Sequence, residues 1–193
     1  MLLTDGPAAD RADKMGLYSW FIGAWEMNTT VFADDGRKLT GQGKIGVGWT
    51  LEGRAIQDVW TIPGIFYGTT LRIYDPGIDA WHIIWSDPVR QYYARQIGRP
   101  QGKDIVQLGE TDTGVALRWS FTEITPNSFR WLGERSFDNQ STWQLQAEYL
   151  VRRANPPLGE LRGPHSQGCN HLANRIGTLV IGDPRERHHP KST

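Results

Sequence analysis

Between Trp81 and Asp87 the chain reads Trp-His-Ile-Ile-Trp-Ser-Asp. With the period of two that a strand imposes, Trp81, Ile83, Trp85 and Asp87 share one side, while His82, Ile84 and Ser86 share the other. The alternation recurs along the chain. Leu117, Trp119 and Phe121 fall on one side of the run Val115–Ile124, and Phe129 and Trp131 on one side of the run after Pro126. Trp143, Leu145, Tyr149 and Val151 continue it, and Ile56, Trp60 and Ile62 form an earlier stripe interrupted by Asp58.

Turn residues punctuate these runs. Arg54–Ile62 ends at Pro63-Gly64, Tyr67–Tyr74 at Asp75-Pro76-Gly77, and Ala80–Ser86 at Asp87-Pro88. Tyr92–Ile97, Asp104–Leu108, Val115–Ile124, Ser128–Phe137 and Thr142–Arg153 follow, each closed by Gly, Pro, Asn or Asp or by the end of the pattern. Two further strands precede them, Trp20–Phe32 and the glycine-spaced stretch Lys38–Leu51, joined by a turn at Asp34-Asp35-Gly36. Gly41, Gly43, Gly46 and Gly48 suit a strand that bends sharply at a barrel corner, and no Gly-Lys-Ser/Thr ending or following helix makes them a phosphate loop.

Short sequential strands with almost no helix between them predict an all-β chain, an antiparallel meander β-barrel of eight to ten strands. Residues Ala8–Tyr18 predict a short N-terminal helix. The chain thus divides into a helical lid over 1–18, a barrel over 19–153 and a mostly irregular tail over 154–193, where Gly, Pro and charge replace aromatic residues. All nine Trp, six Tyr and six Phe lie between Tyr18 and Tyr149. Within the tail, Gly177–Gly182 reads as one more short strand.

Composition narrows the class. At 193 residues the chain can bury a core without a metal or disulfide, and its one cysteine, Cys169, excludes an internal disulfide. Twenty-one basic residues balance 21 acidic ones, so no net field draws nucleic acid or an anionic membrane. No apolar run approaches the roughly 18 residues of a membrane span. A cytoplasmic protein is expected, without nucleic-acid or membrane partners, with no cofactor, and with a homodimer allowed. Arg130, Arg135, Arg152 and Arg153 against Glu123, Glu134 and Glu148 predict cross-strand ion pairs on the outer face.

Candidate chemistry lies in the stripes. Asp58, if its stripe faces inward, is either a desolvated acid/base or the partner of an interior arginine such as Arg54 or Arg95. Asp87 either caps the turn at Pro88 or stands at the barrel mouth. Tyr93 and Arg95 inward would supply a cation, whereas Tyr92, Ala94 and Gln96 inward would supply a neutral hydrogen-bonder. His82 lies opposite the tryptophan stripe, and becomes a proton-transfer candidate only if the facing is reversed. Trp60, Tyr67, Trp85, Tyr93, Trp119 and Trp131 are the candidate ligand-binding residues; Trp25, Trp49 and Trp143 are assigned to core or plug. His165, Cys169 and His171 lack regular flanks, and no metal site is expected.

Gly23-Ala24-Trp25, on the first strand after a short helical turn, resembles the Gly-x-Trp signature of the lipocalins and their calycin relatives. In that family the tryptophan plugs the closed end, and a basic residue at the end of the last strand packs across it; Arg152 or Arg153 stands at the matching place. Trp119-x-Phe121-x-x-Ile124-Thr125 and Trp131-x-x-Glu134 add a likeness to bacterial lipocalin-like barrels of unassigned function. The Gly-x-Trp-x-Gly-x-Gly run of ten-stranded haem-binding barrels is missing, since Glu26 and Met27 follow Trp25. The resemblance implies a container for a small molecule. Binding of a flat, apolar, aromatic or polyketide-like ligand is therefore expected; the alternative is a cofactor-independent isomerase, cyclase, hydratase or lyase using Asp58 or Asp87 with Arg95.

Overall fold

The computed structural model describes residues 3–33, 35–111 and 113–154. Ten strands stand where the alternation puts them: β1 (Gly23–Phe32), β2 (Lys38–Thr50), β3 (Ala55–Ile62), β4 (Phe66–Asp75), β5 (Ala80–Asp87), β6 (Tyr92–Gln101), β7 (Asp104–Glu110), β8 (Ala116–Thr122), β9 (Ser128–Ser136) and β10 (Gln144–Arg153). Each pairs antiparallel with its sequence neighbours, and β1 also pairs with β10, Trp25 opposite Arg153 and Val31 opposite Ala147. Closure satisfies the backbone groups that an open sheet would leave exposed at its edges. The expected meander barrel is present in its ten-stranded form.

The bend in β2 follows from its glycines. A Cβ on Gly43 would overlap the Met27 side chain and come within 2.5 Å of the Thr61 carbonyl, so only glycine lets the three strands approach so closely. Inward positions carry the stripes: Ile56, Asp58, Trp60 and Ile62 on β3, Trp81, Ile83 and Asp87 on β5, Leu117, Trp119 and Phe121 on β8, and Phe129 and Trp131 on β9 are all buried. Their desolvation is the main force closing the sheet, at about 25 cal/mol for each Å² of apolar surface removed from water.

A 3₁₀ turn (Ala9–Arg11) leads into α1 (Ala12–Ser19), which places Met15 and Tyr18 against the barrel end. Phe21 follows, and Phe21, Trp20, Trp25, Phe121 and Phe129 meet with ring centroids 5.1–6.2 Å apart. Trp25 donates its indole N–H to the Phe21 carbonyl at 2.8 Å. The Arg153 guanidinium lies 4.0 Å from the Trp25 ring centroid and donates to the carbonyls of Trp20, Ile22 and Pro126, each at 3.0 Å. Gly23, at φ +121°, makes room: a Cβ there would come 2.8 Å from Arg153 Nη1. Of the two arginines expected at this plug, Arg153 takes the role.

Trp143 corrects its expected placement. The register of β10 against β9 shifts between Leu145 and Ala147, which carries residues before the shift out of phase with Tyr149 and Val151. The Arg118 guanidinium packs 4.3 Å from the Trp143 ring centroid, and Arg118 itself pairs with Glu134 at 2.6 Å on the barrel exterior. Arg130 pairs with Glu148 and Glu123. Among the described residues no helix is long and apolar enough to cross a membrane, and no group of three His, Cys, Asp or Glu side chains could hold a metal ion. The expected strand at Gly177–Gly182 and His165, Cys169 and His171 lie outside the described residues.

Candidate binding site

The barrel end opposite α1 is open. There β4 begins at Phe66, and β5 and β6 are joined by the turn from Asp87 to Tyr92. Trp60, Phe66, Thr70, Arg72, Trp85, Asp87, Arg90, Tyr92, Trp119, Trp131 and Tyr149 line a pocket that holds about 520 Å³ of free space, counting its open mouth.

Its wall is a run of aromatic side chains in mutual contact. Phe66 stands edge-on to Trp85 at 5.9 Å between centroids, Trp85 edge-on to Trp119 at 6.1 Å, and Trp119 tilted to Trp131 at 5.8 Å. Trp131 stacks on Tyr149 at 4.7 Å with 18° between planes, and Trp60 leans on both at 5.9 and 6.2 Å. Two glycines make these ring positions available. A Cβ on Gly68 would overlap the Trp85 indole, and one on Gly133 would stand 2.8 Å from the Trp131 ring. Indoles seated against glycine backbone and against one another have little room to shift, so the wall is pre-formed.

Beneath the wall lies a buried ion pair. The register Val47–Asp58–Thr70–Trp85 brings Asp58 beside β4, where Arg72 Nε and Nη2 donate to Asp58 Oδ2 at 2.9 and 2.8 Å. The other carboxylate oxygen accepts the Trp60 indole N–H at 2.7 Å and the Thr70 backbone N–H at 3.1 Å. Four donors thus surround a side chain with no solvent exposure, which leaves the carboxylate no open face toward the pocket. Arg72 Nη1 donates to Gln107 at 3.1 Å, and the guanidinium lies 5.0–5.6 Å from the ring centroids of Tyr18, Phe21 and Phe121. Arg72 therefore joins the aromatic plug to the pocket floor.

The mouth is built differently. Asp87, 2 % exposed, accepts the backbone N–H groups of Val89 and Arg90 at 3.0 and 3.1 Å, a turn in which the aspartate side chain replaces a backbone acceptor. This fixes Arg90 over the Phe66 ring, 6.0 Å from its centroid. Burial pulls the Arg90 guanidinium below its ordinary pKa, with Asp87 and Tyr149 opposing. Burial pushes the Tyr149 phenol well above its usual range, so it stays a neutral donor, and the nearby Arg90 moderates the rise.

Of the residues expected at the site, Trp60, Trp85, Trp119, Trp131 and Asp87 line the pocket, and Asp58 sits under it. Asp87 performs both roles expected of it, turn cap and mouth residue. Asp58 pairs with Arg72, and not with Arg54 or Arg95. The pleat corrects three of the candidates, turning Tyr93, Arg95 and Tyr67 away from the pocket. On β6 it is Ala94 and Gln96 that point inward, so Tyr93 is 56 % exposed and Arg95 lies outside, where it meets His82 Nδ1 at 3.3 Å. His82 Nε2 faces Asp75 at 2.9 Å, on the exterior as the stripe implied. Tyr67 is 59 % exposed because Phe66, Gly68, Thr70 and Arg72 hold the inner face of β4. Phe66, Thr70, Arg72, Arg90, Tyr92 and Tyr149 are additional lining residues. Reading β4 from Phe66 instead of Tyr67 would have found three of them; Arg90 sits in a turn, where no periodicity signals direction.

No protein-family model and no curated protein sequence matches the chain. Solved structures do. The S-type phycobiliprotein lyase of Guillardia theta superposes with a TM-score of 0.51 at 10 % identity, over 77 % of this chain and 98 % of that one. Rv2717c of M. tuberculosis gives a TM-score of 0.51 at 13 % identity, over 74 % and 98 %. The fold is that of a lipocalin-like, calycin-type barrel. Such low identity carries the architecture and leaves the activity to be argued from the pocket.

Proposed function

We propose that this lipocalin-like barrel binds a small, flat, largely apolar molecule among Trp60, Trp85, Trp119, Trp131 and Tyr149. The observation that carries the reading is an unbroken run of aromatic side chains, Phe66 to Trp85, Trp119, Trp131 and Tyr149, lining a pocket that opens at the barrel mouth. Resemblance in fold to a protein named as a phycobiliprotein lyase supports a ligand-handling role for a barrel of this shape. A planar ligand gains apolar burial and edge or face contacts with the rings, and the indole edges orient it.

The enzymatic alternative narrows to Asp87, because Asp87 faces the pocket while Asp58 is enclosed by four donors. Titration with the neutral fluorophore N-phenyl-1-naphthylamine tests the binding reading. Saturable, blue-shifted emission excited through tryptophan is expected, weakened at least tenfold by Trp131→Ala. An unsaturable response, or one indifferent to Trp131→Ala, refutes it. A compound that binds and is recovered altered by wild type but not by Asp87→Asn would move the assignment to catalysis.

A further inference from the structure

Resting on that reading, we propose that the pocket mouth is a carboxylate subsite and that the bound molecule is a flat aromatic acid whose carboxylate pairs with Arg90. The pocket contains two guanidinium groups, and their surroundings differ. Arg72 is neutralised in place by Asp58 and also bonded to Gln107. Among the described residues, Arg90 has no ion pair and no side-chain hydrogen bond; its contact is the face of Phe66. A half-buried guanidinium carries five N–H donors, and those at the open mouth are left to solvent, where an arriving carboxylate can replace water in a partly desolvated setting. Burial already holds its pKa below the ordinary value, the direction that an arriving anion reverses.

The neighbouring groups choose among anions. Asp87 also lines the mouth and raises the Arg90 pKa by its charge, with one carboxylate oxygen held by the amides of Val89 and Arg90. A dianionic phosphate would meet that carboxylate with one guanidinium to offset two charges. A singly charged carboxylate matches the single fork and can accept two parallel N–H bonds from it. The buried Tyr149 phenol, kept neutral by its surroundings, lines the same pocket and offers an O–H donor. The ring system then lies along Trp131 and Trp85, with its acid group outward, so the ligand enters apolar end first.

The test compares 2-naphthoate with 2-naphthamide, equal in ring system and different in charge, by quenching of tryptophan emission at pH 7. A charge-assisted pair at a half-buried site is expected to favour naphthoate by about 10- to 100-fold. Arg90→Gln should erase that preference, bringing naphthoate and naphthamide to equal affinity, while Arg90→Lys should keep part of it. Equal affinities in wild type, or a preference that survives Arg90→Gln, overturn the carboxylate subsite while leaving the aromatic pocket standing. Failure of both probes to bind wild type overturns the pocket reading and the subsite with it.

Discussion

Removing one partner of the Asp58–Arg72 pair should be costlier than removing both charges together. In Arg72→Met the carboxylate keeps the Trp60 and Thr70 donors but stands as an uncompensated charge with no solvent exposure. In Asp58→Asn the guanidinium faces an amide N–H₂ in place of Oδ2 and retains the Gln107 acceptor. Each single change is expected to cost about 3–5 kcal/mol, the range for breaking a buried ion pair. If the two were independent, their sum of about 6–10 kcal/mol would exhaust the stability of many domains. In the double variant, however, the asparagine oxygen still accepts from Trp60 and Thr70, methionine fills the space of the arginine stem, and two groups, the asparagine N–H₂ and the Gln107 side-chain oxygen, lose their partners. That arrangement should cost about 2–4 kcal/mol. Urea unfolding followed by tryptophan emission at pH 7 supplies the cycle, with a coupling of at least about 2 kcal/mol expected. Either single variant losing under 1 kcal/mol, or a double variant as damaged as the sum, would refute the claim that the pocket floor is a desolvated ion pair.

Three further outcomes follow from the geometry. Gly68→Ala places a methyl group in the Trp85 indole; it should cost about 1–3 kcal/mol by overpacking and weaken N-phenyl-1-naphthylamine at least tenfold, both read from one set of titrations and melts. Arg153→Ala removes the cation over Trp25 together with three bonds to carbonyls at the closed end, and should lower the urea midpoint by the equivalent of about 2 kcal/mol with ligand affinity preserved. The Asp138 carboxyl, which accepts the Thr142 hydroxyl and backbone N–H and the Ser136 hydroxyl, is lowered from 3.8 to about 2. A depressed folded-state value stabilises the β9–β10 loop above pH 3.8, and that contribution fades as pH falls through about 2. Carboxyl NMR titration should place the Asp138 midpoint there, and Thr142→Val should move it upward.

The barrel was legible because its inward residues are large and its turns are marked. Trp81, Ile83 and Trp85, like Leu117, Trp119 and Phe121, repeat at the two-residue spacing of a strand, and Pro63-Gly64 or Asp75-Pro76-Gly77 mark where a strand stops. The plug was legible from Gly23 and Trp25, whose partner Arg153 lies 128 residues away in sequence but directly opposite Trp25 in register. Facing was harder where both sides of a strand carry aromatic or charged residues. Tyr92 and Tyr93 are adjacent, as are Phe66 and Tyr67, and alternation alone assigns neither pair. The bulge before Ala147 hid the direction of Trp143, since a register shift reverses every residue ahead of it. Arg72 escaped notice because its partner is on the adjacent strand, and Gly68 because the reason for a glycine is the ring lying over it.

The central claim, that the tryptophan-bearing faces converge on a space a flat molecule can enter, is tested most directly by indole N–H resonances during titration with N-phenyl-1-naphthylamine. The account predicts that the signals of Trp60, Trp85, Trp119 and Trp131 shift together and saturate, while those of Trp25 and Trp143 stay in place. Shifts confined to Trp143, or no change at the four lining indoles at any fluorophore concentration, would contradict it.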